Sequence, residues 1–227
     1  MWDAFHAVVE TELRRLYIYG PPGIGKSHAS HDIGAQTGKQ PYQITLNEDV
    51  SVPEVIGCYI PAGDKFVWHD GPIAAAMREG IPLIINEISR SSGAVQDMLL
   101  AVLDDPSIAS IALPSGERLK PAPGFRVFAT ANTAPDDLDD ALRDRFDAVI
   151  HVTTPHPALV QKLNSLKNGL GDFILDSYKD SSRSISPRKA FAFYTMLKHT
   201  TAEIAAPIIF EGRSEDVLMA LQERGVV

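Results

Sequence analysis

The residues with the clearest chemistry form the glycine-rich segment 20–27. The segment fits the pattern G-x-x-x-x-G-K-[ST] and reads Gly20, Pro21, Pro22, Gly23, Ile24, Gly25, Lys26, Ser27. Glycines in such a loop let backbone N–H groups turn inward around phosphate oxygens, and the helix that follows points its positive end at them. In this pattern the lysine reaches the β- and γ-phosphates, and the hydroxyl of the last residue ligates Mg²⁺. The segment predicts a P-loop for the phosphates of ATP; the alternative is a tight Gly/Pro turn with a solvated lysine.

Two further polar side chains follow apolar runs that resemble buried strands. Glu87 comes after the run 81–85, and Asn132 comes after the run 126–130. Ligands of open α/β sheets bind outside the carboxyl ends of the strands, so both side chains are expected beside the P-loop. Glu87 is a candidate general base that orients water for attack on the γ-phosphate, and Asn132 is a candidate contact to that water or phosphate. The alternatives are a carboxylate at a helix N-terminus and an asparagine tolerated in a loop.

Asn86 stands directly before Glu87, where P-loop ATPases usually carry an aspartate near Mg²⁺. An amide oxygen can accept a hydrogen bond from a metal-bound water, but it lacks the negative charge that favours the cation. The expected metal site therefore consists of Ser27 and, through water, Asn86. A nucleotide-binding scaffold or switch that hydrolyses ATP weakly stays open as an alternative to an active ATPase.

The elements needed to position these residues can be read from the sequence. Strands are expected at residues 16–19, 43–46, 81–85, 126–130 and 148–152, and helices at 8–16, 28–35, 72–79 and 94–103. Turn-rich residues 61–64 and 114–116 indicate two hairpins. Strands that alternate with helices predict a parallel α/β sheet flanked by helices, the P-loop NTPase arrangement. The chain becomes mostly helical after Pro157, which predicts an α/β core over residues 1–155 and a small C-terminal helical lid over 156–227.

Composition limits the classes of partner and compartment. A net charge of −8 over 227 residues argues against a nucleic-acid partner, which requires cationic groups. There is no apolar run of about 18 residues, so no membrane span is expected. The single cysteine, Cys58, cannot form an internal disulfide, and the cytoplasm is the expected compartment.

With these motifs in this order, the chain resembles AAA+ ATPases of the MoxR and dynein-related branch, to which the CbbQ and NorQ proteins belong. The resemblance runs from about Leu16 to at least Leu197. Residues 70–80 look like the branch's approach to its second nucleotide-binding motif, and residues 86–90 look like its Asp-Glu-Ile-Asn-Arg. Two residues depart from that pattern, since Asn86 replaces the aspartate and Ser89 replaces the asparagine.

Several roles are implied by the resemblance. Asn132 takes the place of sensor 1, Arg145 that of the arginine finger with Arg143 in reserve, and Arg188 that of sensor 2 on the lid. A finger donated to a neighbour's site requires a closed ring, for which the branch suggests a hexamer. The implied activity is hydrolysis of Mg·ATP to remodel or activate a partner protein, which in this branch is often a von Willebrand factor A-domain protein.

Other readings of the same residues remain. Arg143 and Arg145 could instead pair with Asp140, Asp144 or Asp147 at the surface, where such pairs contribute little. A small-molecule P-loop kinase would not need these arginines, and a nucleic-acid motor would need a basic groove. The aromatic side chains of the first hairpin could line a pore that holds a partner chain, or could pack the hairpin on the core; they are Tyr59, Phe66 and Trp68.

Overall fold

The structure is a computed structural model, and it describes residues 2–35 and 38–227. The chain divides into two compact units. The first contains residues 3–20 and 26–152, and the second contains residues 21–25 and 153–227 together with Trp2. No helix in the described part of the chain is long and apolar enough to cross a membrane.

The chain up to residue 152 forms six helices and nine strands among the described residues. In chain order these are α1 (Trp2–Val9), β1 (Arg15–Tyr19), α2 (Lys26–Ala35), β2 (Tyr42–Thr45), α3 (Val52–Ile56), β3 (Gly57–Ala62), β4 (Lys65–Asp70), α4 (Pro72–Glu79), β5 (Leu83–Asn86), α5 (Gly93–Val102), β6 (Ile111–Ala112), β7 (Arg118–Leu119), β8 (Val127–Ala131), α6 (Asp140–Arg143) and β9 (Ala148–His151).

Five of the strands form a parallel sheet in the order β2-β5-β8-β1-β9. All residues of β5 and β8 are buried, as expected for parallel strands covered by helices on both faces. The register places Asn86 opposite Thr130 and Ala131 opposite Tyr19, so β5, β8 and β1 end at the same edge. The predicted parallel α/β sheet is confirmed, and its strand order brings the three sequence motifs to one edge.

Helix α4 shows how closely local signals determine the ends of an element. Pro72 occupies its first turn, where a missing N–H is tolerated, and Gly71 is its N-cap. The helix ends at Gly80, whose left-handed backbone (φ 64°, ψ 36°) suits glycine. Its buried face, which includes Ile73 and Met77, packs into the main core.

Both hairpins expected from the sequence are present. Strands β3 and β4 pair antiparallel with Ala62 opposite Lys65, and the shorter β6 and β7 pair with Ala112 opposite Arg118. On the first hairpin Trp68 packs against the core, whereas Tyr59 and Phe66 are 45% and 72% exposed.

One arginine connects the two hairpins. Arg78 of α4 donates to Asp70 at the end of β4 over 2.7 Å and to Glu117 before β7 over 2.6 Å. The indole N–H of Trp68 also donates to Asp70, over 2.6 Å.

The helix expected over residues 8–16 is wrong, because α1 ends at Val9. The guanidinium of Arg126 accounts for the difference. It donates to the backbone carbonyls of Val9, Thr11 and Leu13, over 2.8, 3.4 and 2.6 Å. These contacts hold residues 10–13 in an irregular segment that leads directly into β1.

The chain from residue 153 onward is helical, as expected for the lid, and contains α7 (Pro157–Leu166), α8 (Leu170–Ser177), α9 (Pro187–Leu197), α10 (Ala202–Phe210) and α11 (Ser214–Glu223). These helices surround a separate core that includes Leu163, Ile174, Phe193 and Leu221. A division of function near residue 155, between a nucleotide-binding core and a lid, remains our proposal.

Candidate functional site

The backbone of segment 20–27 can be adopted only with glycines at defined positions. Gly20 has φ 150°, and a Cβ there would lie 1.8 Å from the carbonyl oxygen of Val152. Gly23 has φ 77°, and a Cβ there would lie 2.2 Å from Oγ of Ser186. Both positions exclude a side chain on grounds of space and of backbone conformation. The loop therefore has the tight glycine-dependent path that a phosphate cradle requires.

Lys26 begins α2 and is buried. Its Nζ donates to the carbonyl of Gly20 over 2.8 Å and to Oδ1 of Asn132 over 3.1 Å. Burial lowers the pKa of Lys26 to about 8, although the carboxylate of Glu87 acts in the opposite direction. A partly desolvated ammonium of this kind would gain strongly from an anion placed beside it.

Three oxygen-bearing side chains converge at the end of β5. The hydroxyl of Ser27 donates to Oδ1 of Asn86 over 2.5 Å, and the hydroxyl of Thr130 donates to the same oxygen over 3.0 Å. Asn86 is only 7% exposed. Oxygen donors of this type are those that Mg²⁺ prefers, so the residues present fit the cation, with one charge fewer than an aspartate would supply.

Glu87 and Asn132 meet beside the lysine. The amide Nδ2 of Asn132 donates to both carboxylate oxygens of Glu87, over 3.0 and 3.3 Å. Because Oδ1 of Asn132 accepts from Lys26, the three side chains form a continuous chain of hydrogen bonds. Glu87 has a left-handed backbone (φ 56°), which is uncommon for a residue other than glycine and occurs often at functional sites.

The two arginines proposed for the finger make none of the hydrogen bonds that join Lys26, Asn132 and Glu87. Arg143, at the end of α6, pairs with Asp140 over 2.8 Å and with Asp136 over 3.3 Å, and both of these carboxylates are largely exposed. Arg145 lies 3.6 Å from Asp104, and its Nε is buried with no hydrogen-bond partner in the described part of the chain. Arg143 thus forms one of the surface pairs given as an alternative, the pair with Asp140. Arg145 instead pairs with Asp104, a carboxylate that the sequence did not indicate.

Arg188, the residue proposed as sensor 2, lies in the second unit. Ser186 caps α9, accepting from the backbone N–H of Arg188 over 3.2 Å, and the guanidinium of Arg188 is exposed. Within the same unit Pro21 and Pro22 line a cavity of about 230 Å³ together with Ser186, Lys189, Phe210 and Arg213. Residues 21–25 of the P-loop thus pack with the elements that carry Arg188.

Sequence reasoning missed two residues of the site. Thr130 shares the oxygen of Asn86 with Ser27, and Tyr17 donates from its hydroxyl to the carbonyl of Thr133 over 3.1 Å. Their positions in β8 and β1, in strands whose ends were already expected at the site, were the available signal. Neither residue type, however, indicates which strands are neighbours in the sheet, and the contacts of both residues depend on that order.

Comparison with known proteins assigns the chain to a family. The sequence profile of the AAA domain (dynein-related subfamily) matches residues 15–146, which is more than half of the chain. The chain therefore belongs to this subfamily of the AAA+ ATPases, as the resemblance implied.

Curated relatives agree with that assignment. Protein NorQ of Paracoccus denitrificans is 31% identical over 170 residues, covering 73% of this chain and 62% of the relative. The gas vesicle ATPase GvpN of Haloferax mediterranei is 28% identical over 171 residues, covering 60% of this chain and 48% of the relative. The chain thus spans less than two thirds of the length of these relatives.

Solved structures support the fold. A RuvB variant from Thermotoga maritima superposes with a TM-score of 0.54 at 19% identity, covering all of this chain and 68% of that one. NtrX from Brucella abortus, solved in complex with ADP, gives a TM-score of 0.50 at 20% identity, covering 85% of this chain and 44% of that one. The P-loop sheet with C-terminal helices expected from the sequence is confirmed.

Proposed function

We propose that this chain binds Mg·ATP, hydrolyses it within a ring, expected to be a hexamer, and uses the reaction to remodel or activate a partner protein. The observation that supports it most is the chain Lys26–Asn132–Glu87 at the edge where β1, β5 and β8 end. It joins a buried cation, an amide and a carboxylate, which are the groups needed to hold a phosphate and orient water.

In this proposal the residues of the site divide the binding of the phosphates, the binding of the cation and the activation of water. The backbone of segment 20–27 and Lys26 hold the β- and γ-phosphates, and Ser27 would hold Mg²⁺ together with Asn86, which would act through a bound water. When bound, Mg²⁺ neutralises the charge of the phosphate oxygens. Glu87 accepts a proton from the attacking water, while Asn132 orients the carboxylate and contacts the γ-phosphate.

Arginines would neutralise the negative charge of the phosphates that Lys26 and Mg²⁺ leave unbalanced. Arg145 would reach the γ-phosphate in a neighbouring protomer, and Arg188 would reach the phosphates of its own protomer. Membership of an AAA family favours this ATPase over a small-molecule kinase. A von Willebrand factor A-domain protein is the client class that the resemblance suggests, and the cytoplasm is the proposed compartment.

The proposal is tested by ATP turnover as a function of protomer concentration. Because the finger is donated between protomers, specific activity is expected to rise with concentration, in parallel with ring formation seen by sizing with a slowly hydrolysed ATP analogue. Lys26→Ala, which removes the phosphate-binding cation, is the control without turnover. A persistent monomer whose specific activity is constant and full would contradict the shared site.

Asn86 favours a second candidate function, that of a switch which binds nucleotide and hydrolyses it slowly. The active-ATPase proposal makes a specific prediction at this position. Asn86→Asp is expected to lower the Mg²⁺ concentration for half-maximal turnover by about tenfold, because a carboxylate adds a charge beside the cation in a partly desolvated place. Turnover measured over a Mg²⁺ titration checks this shift.

The matched control for that variant is Asn47→Asp. Asn47 is exposed, and its Oδ1 accepts from the backbone N–H of Asp49 and Val50, which an aspartate oxygen can do equally well. It adds the same charge one strand away, just after Leu46, whose backbone N–H donates to the carbonyl of Asn86. Because that side chain is exposed and its charge is screened by water and salt, it is expected to shift the titration by much less than tenfold. If wild type and Asn86→Asp both bind ATP but neither hydrolyses it, the ATPase proposal is wrong and the nucleotide-binding switch is the function supported.

A further inference from the structure

Tyr17 is an unusual residue for the centre of a parallel sheet. It lies in the middle of β1, between β8 and β9, and is fully buried. A buried phenol loses its water contacts, so its hydroxyl requires a partner within the protein. That partner is the backbone carbonyl of Thr133, at 3.1 Å.

The contact matters because of where Thr133 lies. Asn132, the preceding residue, bridges Lys26 and Glu87 through the two ends of its amide. Asn132 and Thr133 are both exposed and lie beyond the end of β8, where no sheet pairing fixes the backbone. The hydroxyl of Tyr17 therefore fixes the backbone immediately after the amide that bridges the site.

The ring of Tyr17 makes a second contact of the same kind. It packs edge-on against Phe146, with ring centroids 5.3 Å apart and planes inclined by 66°. Phe146 directly follows Arg145 and is itself buried. One side chain thus touches the residue after Asn132 and the residue after Arg145.

The hydroxyl is maintained as a donor. Burial raises the pKa of Tyr17, and the nearby carboxylates of Asp137, Asp136 and Glu87 raise it further. The phenol therefore keeps its proton at neutral pH.

We propose that Tyr17 is a positioning residue that couples the Asn132 loop of one site to the Arg145 segment that serves the next. The inference rests on the proposed function, because it assumes that Asn132 acts on the protomer's own nucleotide and Arg145 on a neighbour's. Tyr17 contacts neither nucleotide; it acts through the hydroxyl on one segment and through the ring on the other.

Tyr17→Phe is the variant that separates these roles from simple core filling, since it keeps the ring and removes only the hydrogen bond. We expect kcat to fall by up to about tenfold, the equivalent of losing the one hydrogen bond that fixes the backbone at Thr133, with the KM for ATP and ring assembly unchanged. Tyr42→Phe is the matched control. It also removes one phenolic hydrogen bond, to Glu79 over 2.9 Å, but on the outer strand β2, and should leave kcat unchanged.

Mixed rings test the coupling itself. In rings of Arg145→Ala and Glu87→Gln protomers, only the Arg145→Ala protomers hydrolyse, using fingers from their Glu87→Gln neighbours. Adding Tyr17→Leu, which removes both ring and hydroxyl, to the Glu87→Gln protomers tests finger donation, and adding it to the Arg145→Ala protomers tests the hydrolysing site. We expect reduced activity in both arrangements, with thermal melting confirming that each variant is folded.

The possible failures can be told apart. If the wild type turns over ATP and Tyr17→Phe matches it in kcat, the positioning role is wrong while the proposed function stands. A loss of activity in only one of the two mixed arrangements overturns the coupling. An absence of ATP turnover in the wild type refutes the proposed function instead.

Discussion

Replacing Glu87 by glutamine is expected to reduce ATP turnover by about 10²- to 10⁴-fold, the usual contribution of a general base. Glutamine has the same shape, and its side-chain oxygen can still accept from Nδ2 of Asn132, the contact that orients Glu87 at 3.0 Å. It cannot take a proton from water at neutral pH. The variant should therefore bind ATP as the wild type does, and steady-state turnover together with equilibrium binding of a fluorescent ATP analogue measures the two effects separately.

Glu48→Gln serves as the control for this result. Glu48 is an exposed carboxylate that precedes the turn leading into α3, and its loss changes the net charge by the same amount. It should leave both turnover and binding unchanged. Unaltered turnover by Glu87→Gln in assembled protein would show that the carboxylate only stabilises the start of the turn at Ile88, and the base would have to be sought elsewhere.

The second large effect is expected from Arg145→Ala, which should lower turnover by about 10³- to 10⁵-fold if this arginine serves as the finger. The present position of Arg145 does not oppose that role. Its distance of 3.6 Å from Asp104 is too long for a hydrogen bond, and both side chains are about one third exposed, so leaving Asp104 costs at most about 1 kcal/mol. A buried Nε without an acceptor gains from any move that supplies one.

Complementation decides whether the finger acts between protomers. Neither Glu87→Gln nor Arg145→Ala alone should hydrolyse ATP, but rings mixed from both should regain activity wherever an intact base faces an intact finger. Arg143→Ala is measured alongside as the comparison, because Arg143 is tied to Asp136 and Asp140 at the surface and is expected to have a small effect. A large loss with Arg143→Ala and none with Arg145→Ala would transfer the role to the reserve residue, while failure of the mixture to recover would contradict donation between protomers.

The parts of the fold that the sequence predicts well are those with local causes. Gly71 and Pro72 set the start of α4 and Gly80 its end, because each residue type has the backbone conformation that its position needs. The apolar run before Asn86 predicts a strand buried on both faces, and β5 is one. The glycine pattern of segment 20–27 predicts its own loop for the same reason.

The parts that the sequence does not predict depend on contacts between distant residues. Nothing near residue 9 shows that α1 must stop there, since the arginine that holds the following carbonyls is residue 126. The pairing of Arg145 with Asp104 joins residues 41 positions apart, while the sequence offered nearer carboxylates at 140, 144 and 147. Such partners follow from the order of the strands, which residue spacing alone does not encode.

The site shows the same division. Asn86 looked from the sequence like an aspartate site that had lost a charge. In the structure its oxygen accepts hydrogen bonds from Ser27 and Thr130, so the amide is held by the same hydroxyls that would hold a carboxylate. The residue type was readable from the sequence, but its surroundings required the register of β5 against β8.

The bridge made by Arg78 has a mechanical consequence. One planar guanidinium binds carboxylates on both hairpins, so a load applied to the tip of the first hairpin is shared with the second through a single rigid group. The stiffness of that link is electrostatic, and its three side chains are 20% to 44% exposed. Added salt therefore weakens the ion pairs that link the two hairpins, without changing the sheet beneath them. Ionic strength would thus set how strongly a force on one hairpin is transmitted to the other.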